Sequence, residues 1–334
     1  MKTLLTAAAI ALALTAPAAS EEVVLKFATV NGPQAHLNVN IHHPFAKRVN
    51  EQGAGVVKIE VYDGPTLANQ ANFYDRVVND VTQIVWGLHH AVPGKFPLSE
   101  VAALPFLADR SEPASVAYWR LYKSGLLDSE YDQIVPLYVN AFPQTSLHLA
   151  KAPKTIETLQ GLRVVGGGRI FSECLARLDA APLSISLGQA YEAIQRGVAD
   201  GVAIQWTGFQ PFKLAEVTRY HVDGSFGAST GMIFMAKKRY EALPDAARKI
   251  IEANGGEKQS REFGVFWDKV QDSARQEVRA MKDHTLVNLT PEQDKKWRER
   301  LAPITAEWIK EGPERTKVLD AFRSLLDQAT KVAG

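Results

Sequence analysis

Residues 161–206 read GLRVVGGGRIFSECLARLDAAPLSISLGQAYEAIQRGVADGVAIQW. Leu162–Val165 is a short apolar run that suits a buried strand, and Gly166–Gly168 follow as a turn. Arg169 then opens a segment with Phe171, Leu175 and Leu178 at helical spacing. A strand over 182–186, a helix over 188–196 and a strand over 199–206 complete the stretch. This strand–helix alternation predicts a mostly parallel sheet with helices on its faces. A strand, a glycine turn and a helix start also place free N–H groups and a positive dipole end beside a guanidinium. The arginine fork matches a carboxylate, so Arg169 is the first candidate for an anion anchor. The plainer reading is a solvated arginine on a first helical turn.

The same grammar occurs upstream. Val23–Thr29 and Val56–Tyr62 read as strands, as does Gln83–Leu88. Asn40–Gln52 and Asn72–Asp80 between them read as helices. Residues 93–105 form a proline-bounded loop, 115–124 a helix, and 134–142 a strand that 145–150 continues. Ser229–Ala236 is a further strand, returning to the first lobe. Residues 244–282 are helical, with weak points at Gly255-Gly256 and Gly264. Thr290-Pro291-Glu292 is an N-cap signature for the helical remainder, broken once at Gly312-Pro313. Two similar α/β lobes are expected, lobe I from 21–145 plus 229–272 and lobe II from 146–228 plus 273–334. In such sheets ligands sit at the carboxyl ends of strands. Asn31, Trp86 and His89 follow strand ends and could face a cleft, as could His90.

Residues 1–20 carry Lys2, an apolar run over 4–14 and small-x-small sites at 16–18 and 18–20. That is a secretory signal peptide cleaved near residues 18–20, too short for a membrane span. It predicts an exported, soluble protein with a bacterial periplasm as its compartment. Removing it takes away Lys2 and no acid, so 37 of the 38 basic residues face 37 acidic ones. A balanced charge gives no support to nucleic-acid binding. Cys174 is the one cysteine; it cannot form an internal disulfide, and a large core must hold the fold.

Other candidates weaken on inspection. Gly227-Ala228-Ser229-Thr230-Gly231 matches G-x-S-x-G, but a hydrolase elbow needs a helix after its serine and an apolar strand-like run follows here. The glycine turn fits neither a dinucleotide fingerprint nor a P-loop. The eight histidines contain no H-E-x-x-H, so neither a metal site nor a cofactor is expected. His148 lies inside an apolar strand, where a satisfied core or cleft histidine is the usual case. Trp86 and Trp206 each end a strand, one per lobe; core packing is the common fate, and a π-rich wall for a flat ligand the other.

Five segments resemble one family over essentially the whole mature chain: Leu25–Thr29, Pro93–Val101 with Leu104-Pro105-Phe106, Leu159–Arg163, Tyr191–Gly201 and Phe212–His221. The chain resembles the periplasmic solute receptors of TRAP transporters. Phe96-Pro97, Leu147-His148 and Trp206 are similar to a branch whose motif ends in a proline–tryptophan pair, with Gln205 here in place of the proline. The resemblance implies the two-lobed periplasmic binding protein fold, α/β, with a long helix spanning both lobes. It implies capture of an organic acid by hinge closure and delivery to a TRAP membrane permease, without catalysis. The family usually carries an arginine at the position of Val165. A second arginine four residues on is common in this branch, and Arg169 occupies it.

Arg169 is therefore expected to take the carboxylate with His148 and the glycine-turn N–H groups, at a cost of roughly 2–4 kcal/mol on removal. Trp206, Trp86, Asn31 and His89 complete the expected ligand-binding set. Val165 and the two tryptophans favour a flat, apolar monocarboxylate, an aromatic one among them. A monomer is expected. Two rivals are a secreted serine hydrolase using Ser229 and a receptor of the same fold that reports to a membrane kinase.

Overall fold

The computed structural model describes residues 21–333, so the signal-peptide reading of 1–20 lies outside the described residues. Eleven strands among these residues divide into two sheets. β1 (Val23–Ala28), β2 (Val57–Tyr62), β3 (Ile84–Leu88), β4 (Ile134–Ala141) and β10 (Thr230–Ala236) form the first, in the order β2-β1-β3-β10-β4. β5 (Ser146–Leu149), β6 (Arg163–Gly166), β7 (Ala181–Leu183), β8 (Gly201–Ile204), β9 (Tyr220–Asp223) and β11 (Thr285–Asn288) form the second, in the order β11-β9-β5-β8-β6-β7. Both sheets are mixed. In the first, β1 pairs parallel with β2 and β3, while β10 runs antiparallel between β3 and β4.

The helices are α1 (His43–Gln52), α2 (Phe73–Val78), α3 (Ser111–Lys123), α4 (Arg169–Arg177), α5 (Leu187–Gln195), α6 (Leu214–Val217), α7 (Lys237–Glu241), α8 (Asp245–Asn254), α9 (Gly256–Ala280), α10 (Pro291–Lys310) and α11 (Arg315–Ala333). Phe263 and Trp267 of α9 pack into the core of the first lobe, and Ala274 and Val278 into that of the second. One helix of 25 residues therefore spans both lobes.

The structure differs from the sequence reading in several places. Residues 134–150 are not one strand continued, because β4 and β5 belong to different sheets and the chain crosses between lobes at 142–145. Helix α3 begins four residues earlier than 115. Its first N–H groups, on Ser111 and Glu112, donate to the Asp268 carboxylate of α9 at 2.8 and 3.0 Å, a cap supplied from more than 150 residues away. Gly264 does not weaken α9. A β-carbon there would lie 2.3 Å from Glu112 Cα, so the glycine lets α9 pack directly on α3. The terminal helix α11, expected in lobe II, packs on α3 of the first lobe. β9 and β11, which pair at the far edge of the second sheet, carry no sequence pattern strong enough to reveal them.

The Thr290 cap is present as read. Its hydroxyl accepts from the Gln293 N–H at 3.3 Å, and the Gln293 side chain accepts from the Thr290 N–H at 2.9 Å.

Candidate functional site

The carboxyl ends of strands in both sheets meet across a cleft of about 920 Å³. From the first lobe come Asn31 after β1, Trp86 and Leu88 of β3, and Phe142 after β4. The second lobe adds Gly167 after β6, Ser186 after β7, and Gln205 and Thr207 after β8. Trp267 of α9 and Phe212 complete an aromatic lining with Trp86, Phe142 and Phe171. Arginine and lysine are absent from the described lining residues.

Backbone geometry explains why these groups converge. Gly168 sits at φ 85°, a left-handed conformation that turns the chain from β6 into α4. Gly167 and Phe171, on either side of the α4 start, line the cleft, while Gly168, Arg169 and Ile170 turn toward a neighbouring cavity; the start of α5 at Ser186–Gly188 faces the cleft. The first N–H groups of each helix have no intrahelical acceptor, and each start carries the positive end of a dipole. Across the lobes, Gln205 Nε2 donates to Ser229 Oγ at 3.2 Å. Ser229 leads into strand β10, not a helix, and no histidine hydrogen-bonds it among the described residues. That is the wrong geometry for a hydrolase elbow.

A second cavity of about 610 Å³ adjoins the cleft, sharing His90, Gly167 and Phe171 with it. His90 reaches from the first lobe to the glycine turn of the second, with its Cβ 3.3 Å from where a Gly168 β-carbon would stand. Its ring is open to the cleft, yet the flanking protein desolvates it enough to lower its pKa.

The six residues expected from sequence separate into three pairs. Asn31 and Trp86 line the main cleft. Arg169 and His89 line the smaller cavity instead. The Arg169 guanidinium donates to Glu100 at 2.5 Å, Glu311 at 2.9 Å and Glu173 at 3.2 Å. Glu100 lies on a 3-10 turn of the first lobe and Arg169 on a helix of the second, so this cluster ties the lobes together. Three carboxylates already occupy its donors, and a fourth anion would meet net negative charge there. His89 is buried; its Nε2 meets the hydroxyls of Tyr118 at 2.9 Å and Tyr131 at 3.0 Å, and burial lowers its pKa to about 3.

His148 and Trp206 lie beneath the cleft, both fully buried. The His148 Nε2–H donates to the Ile204 carbonyl at 3.2 Å, which makes its Nδ1 an acceptor when neutral. His221 Nδ1 must then donate to it at 3.0 Å, and His221 Nε2 accepts from His284 Nδ1 at 2.9 Å. Burial lowers the His148 pKa to about 4, so the ring is neutral at pH 7. Trp206 packs against His148 with ring centroids 4.6 Å apart and donates to Asp223 at 3.0 Å. The Asp223 carboxylate also accepts from Ser146 and Arg275, which holds the indole away from the ligand space.

Sequence reasoning missed Phe142, Phe212, Trp267, Gln205 and Thr207 as lining residues. Trp267 lies in the middle of a long amphipathic helix and reads as core. Gln205 had a signal, because it replaces a proline in the family motif.

The model of the bacterial extracellular solute-binding protein family 7, DctP, matches residues 27–311. The curated relative named outer membrane transporter protein TsaT, from Comamonas testosteroni, is 26% identical over 334 aligned residues, 96% of each chain. A TRAP solute-binding protein from Rhodoferax ferrireducens T118, solved with copurified benzoate, superposes at a TM-score of 0.85 with 27% identity, covering 93% of this chain and 100% of that one. A marine metagenome TRAP solute-binding protein, solved with 3-hydroxybenzoate, gives a TM-score of 0.85 at 26% identity, covering 93% and 99%. The two lobes, the spanning helix and the cleft are thus those of a known receptor class, and this chain belongs to the DctP family of TRAP solute-binding proteins.

Proposed function

We propose that this protein is the periplasmic receptor for a small aromatic monocarboxylate, which it delivers to a TRAP membrane permease. The observation that carries the reading is the lining of the interlobe cleft. Five aromatic side chains form its walls, and no arginine or lysine among the described residues lines it. A flat apolar monocarboxylate gains most from such walls, whereas a dicarboxylate would carry its second charge into a cleft with no arginine or lysine among the described residues to pair it. The carboxylate is taken by neutral donors and helix starts: the N–H groups at Gly167 and at Ser186–Gly188, with Asn31 and Thr207 beside them. Trp86 holds the ring from lobe I. Ligand contacts to both lobes favour the closed state over the open one.

The receptor acts as a monomer without catalysis, and its export depends on the leader at 1–20. The lobes comprise 21–145 plus 229–272 and 146–228 plus 273–314, with α11 returning to the first lobe. Support comes from relatives of 26% and 27% identity that hold benzoate-type acids in the same fold.

Mass spectrometry of small molecules released from the purified, denatured protein tests the reading, together with thermal melts in added acids. A ligand at 100 times its Kd stabilises by about 2.7 kcal/mol, so benzoate-type acids should raise Tm by several degrees. A shift with aliphatic acids and none with aromatic ones would remove it.

A further inference from the structure

Asn140, at the carboxyl end of β4, is fully buried, and neither its Oδ1 nor its Nδ2 has a hydrogen-bond partner among the described residues. A buried amide unpaired at both ends is costly and calls for a reason. The strand register gives its surroundings. β10 lies between β3 and β4, so Leu88, Gly231 and Asn140 form one cross-strand row. The next row inward is Trp86, Ile233 and Tyr138. The next outward holds Ser229 and Phe142, joined by the Phe142 N–H donating to the Ser229 carbonyl at 2.8 Å. Residues two apart on a strand share a face. Asn140 therefore shares its face with Leu88, Trp86, Phe142 and Ser229, all of which line the cleft.

Gly231 leaves the amide room. A β-carbon there would stand 3.3 Å from Asn140 Oδ1 and 3.4 Å from Nδ2. The same wall holds two further buried donors without partners among the described residues, the indole N–H groups of Trp86 and Trp267.

We propose that Asn140 is a specificity-determining residue of the cleft and reads a hydroxyl group on the ring of an aromatic acid. The inference rests on the aromatic-acid reading above and narrows it to hydroxylated aryl acids. A carboxylate only accepts, so it would pair with Nδ2 and leave Oδ1 empty. A phenolic hydroxyl donates to Oδ1 and accepts from Nδ2, completing both ends of the amide. The ring then lies over Trp86 with its carboxylate directed to the helix starts of lobe II. Leu88 and Phe142, both half-buried cleft walls, flank the amide; turning one of them aside admits the hydroxyl.

Calorimetric titration of the full mature chain with benzoate, 3-hydroxybenzoate and 4-hydroxybenzoate tests this, in the wild type and in Asn140→Leu. The wild type should bind at least one hydroxybenzoate about tenfold or more tighter than benzoate, as a site built for a hydroxyl does. Asn140→Leu should keep its benzoate affinity and Tm while losing that preference. A purely structural role would instead lower Tm and weaken all three acids together. Gly231→Ala, which crowds the amide with a methyl group, provides the same readout should the leucine variant not fold. Equal wild-type affinities for the three acids, or a preference that survives both substitutions, overturns the proposal. Binding of an aliphatic acid with none of the three overturns the aromatic-acid reading and this inference with it.

Discussion

Arg169 opens helix α4 at the mouth of the second cavity. Its place after a glycine turn is right for an anion, and its guanidinium does hold anions, but they are Glu100, Glu173 and Glu311 of the same chain. Its pKa is raised, chiefly by the hydrogen bond to Glu100. A half-exposed pair of this kind is worth up to about 1 kcal/mol. Arg169→Ala should accordingly weaken ligand binding by less than about tenfold in calorimetry, with the loss shrinking at high salt. A loss of roughly 30-fold or more would restore the guanidinium as the ligand's own anchor. Trp86 offers the complementary case. Ligand stacking on this residue should change the intrinsic fluorescence on titration with an aromatic acid, and Trp86→Leu should remove most of that change; a full response in the variant would assign it to Trp267 or another tryptophan.

At the scale of elements, the strand–helix alternations on either side of residue 150 were legible because each strand is a short apolar run and each helix keeps its period. The Thr290 cap was legible because both of its partners lie within four residues. The start of α3 was not, since Asp268 supplies its cap from α9, and no local pattern announces a cap so distant. The site was half legible for the same reason. Asn31 follows β1 and Trp86 lies in the carboxyl half of β3, so both could be placed by rule, whereas Trp206 and His148 are turned inward by Asp223 and by the Ile204 carbonyl, which only the folded sheet brings near. Removing the cap should be felt. Asp268→Ala leaves the Ser111 and Glu112 N–H groups unpaired and should cost about 1–2 kcal/mol in urea unfolding. Gly264→Ala drives a methyl group into the Glu112 backbone and should cost about 1–3 kcal/mol or more. Neutrality of either variant would mean that α3 and α9 are less tightly joined than their geometry implies.

For the whole molecule, the buried histidines set the response to acid. His89 and His148 keep pKa values of about 3 and about 4 in the fold, and that of His42 is likewise well depressed, each chiefly by burial. An unfolded histidine takes up its proton near pH 6.5. Below that pH the unfolded chain binds protons that the native one refuses, so stability is full above about pH 6.5 and falls as the pH drops toward 4. Each such residue contributes a slope of about 1.4 kcal/mol per pH unit. Glu130, raised to about 7 by burial, acts in the opposite sense between pH 4.5 and 7, as do Asp268 and Glu173, also raised by burial; against them stand His42, His89, His148 and His221, all depressed by burial. Melts across pH 4.5–8 should show Tm flat above 7 and declining below 6.5; a constant Tm would mean the rings are solvated.

Strand β10 carries a consequence for how the chain comes to be folded. It is the last of its sheet to be synthesised, yet it occupies an interior slot between β3 and β4. Until residue 236 has been made, β3 and β4 have no shared neighbour and each presents an open edge. An N-terminal fragment ending near residue 145 therefore lacks the strand that joins β3 to β4, and the first sheet closes only after more than two thirds of the chain has been made.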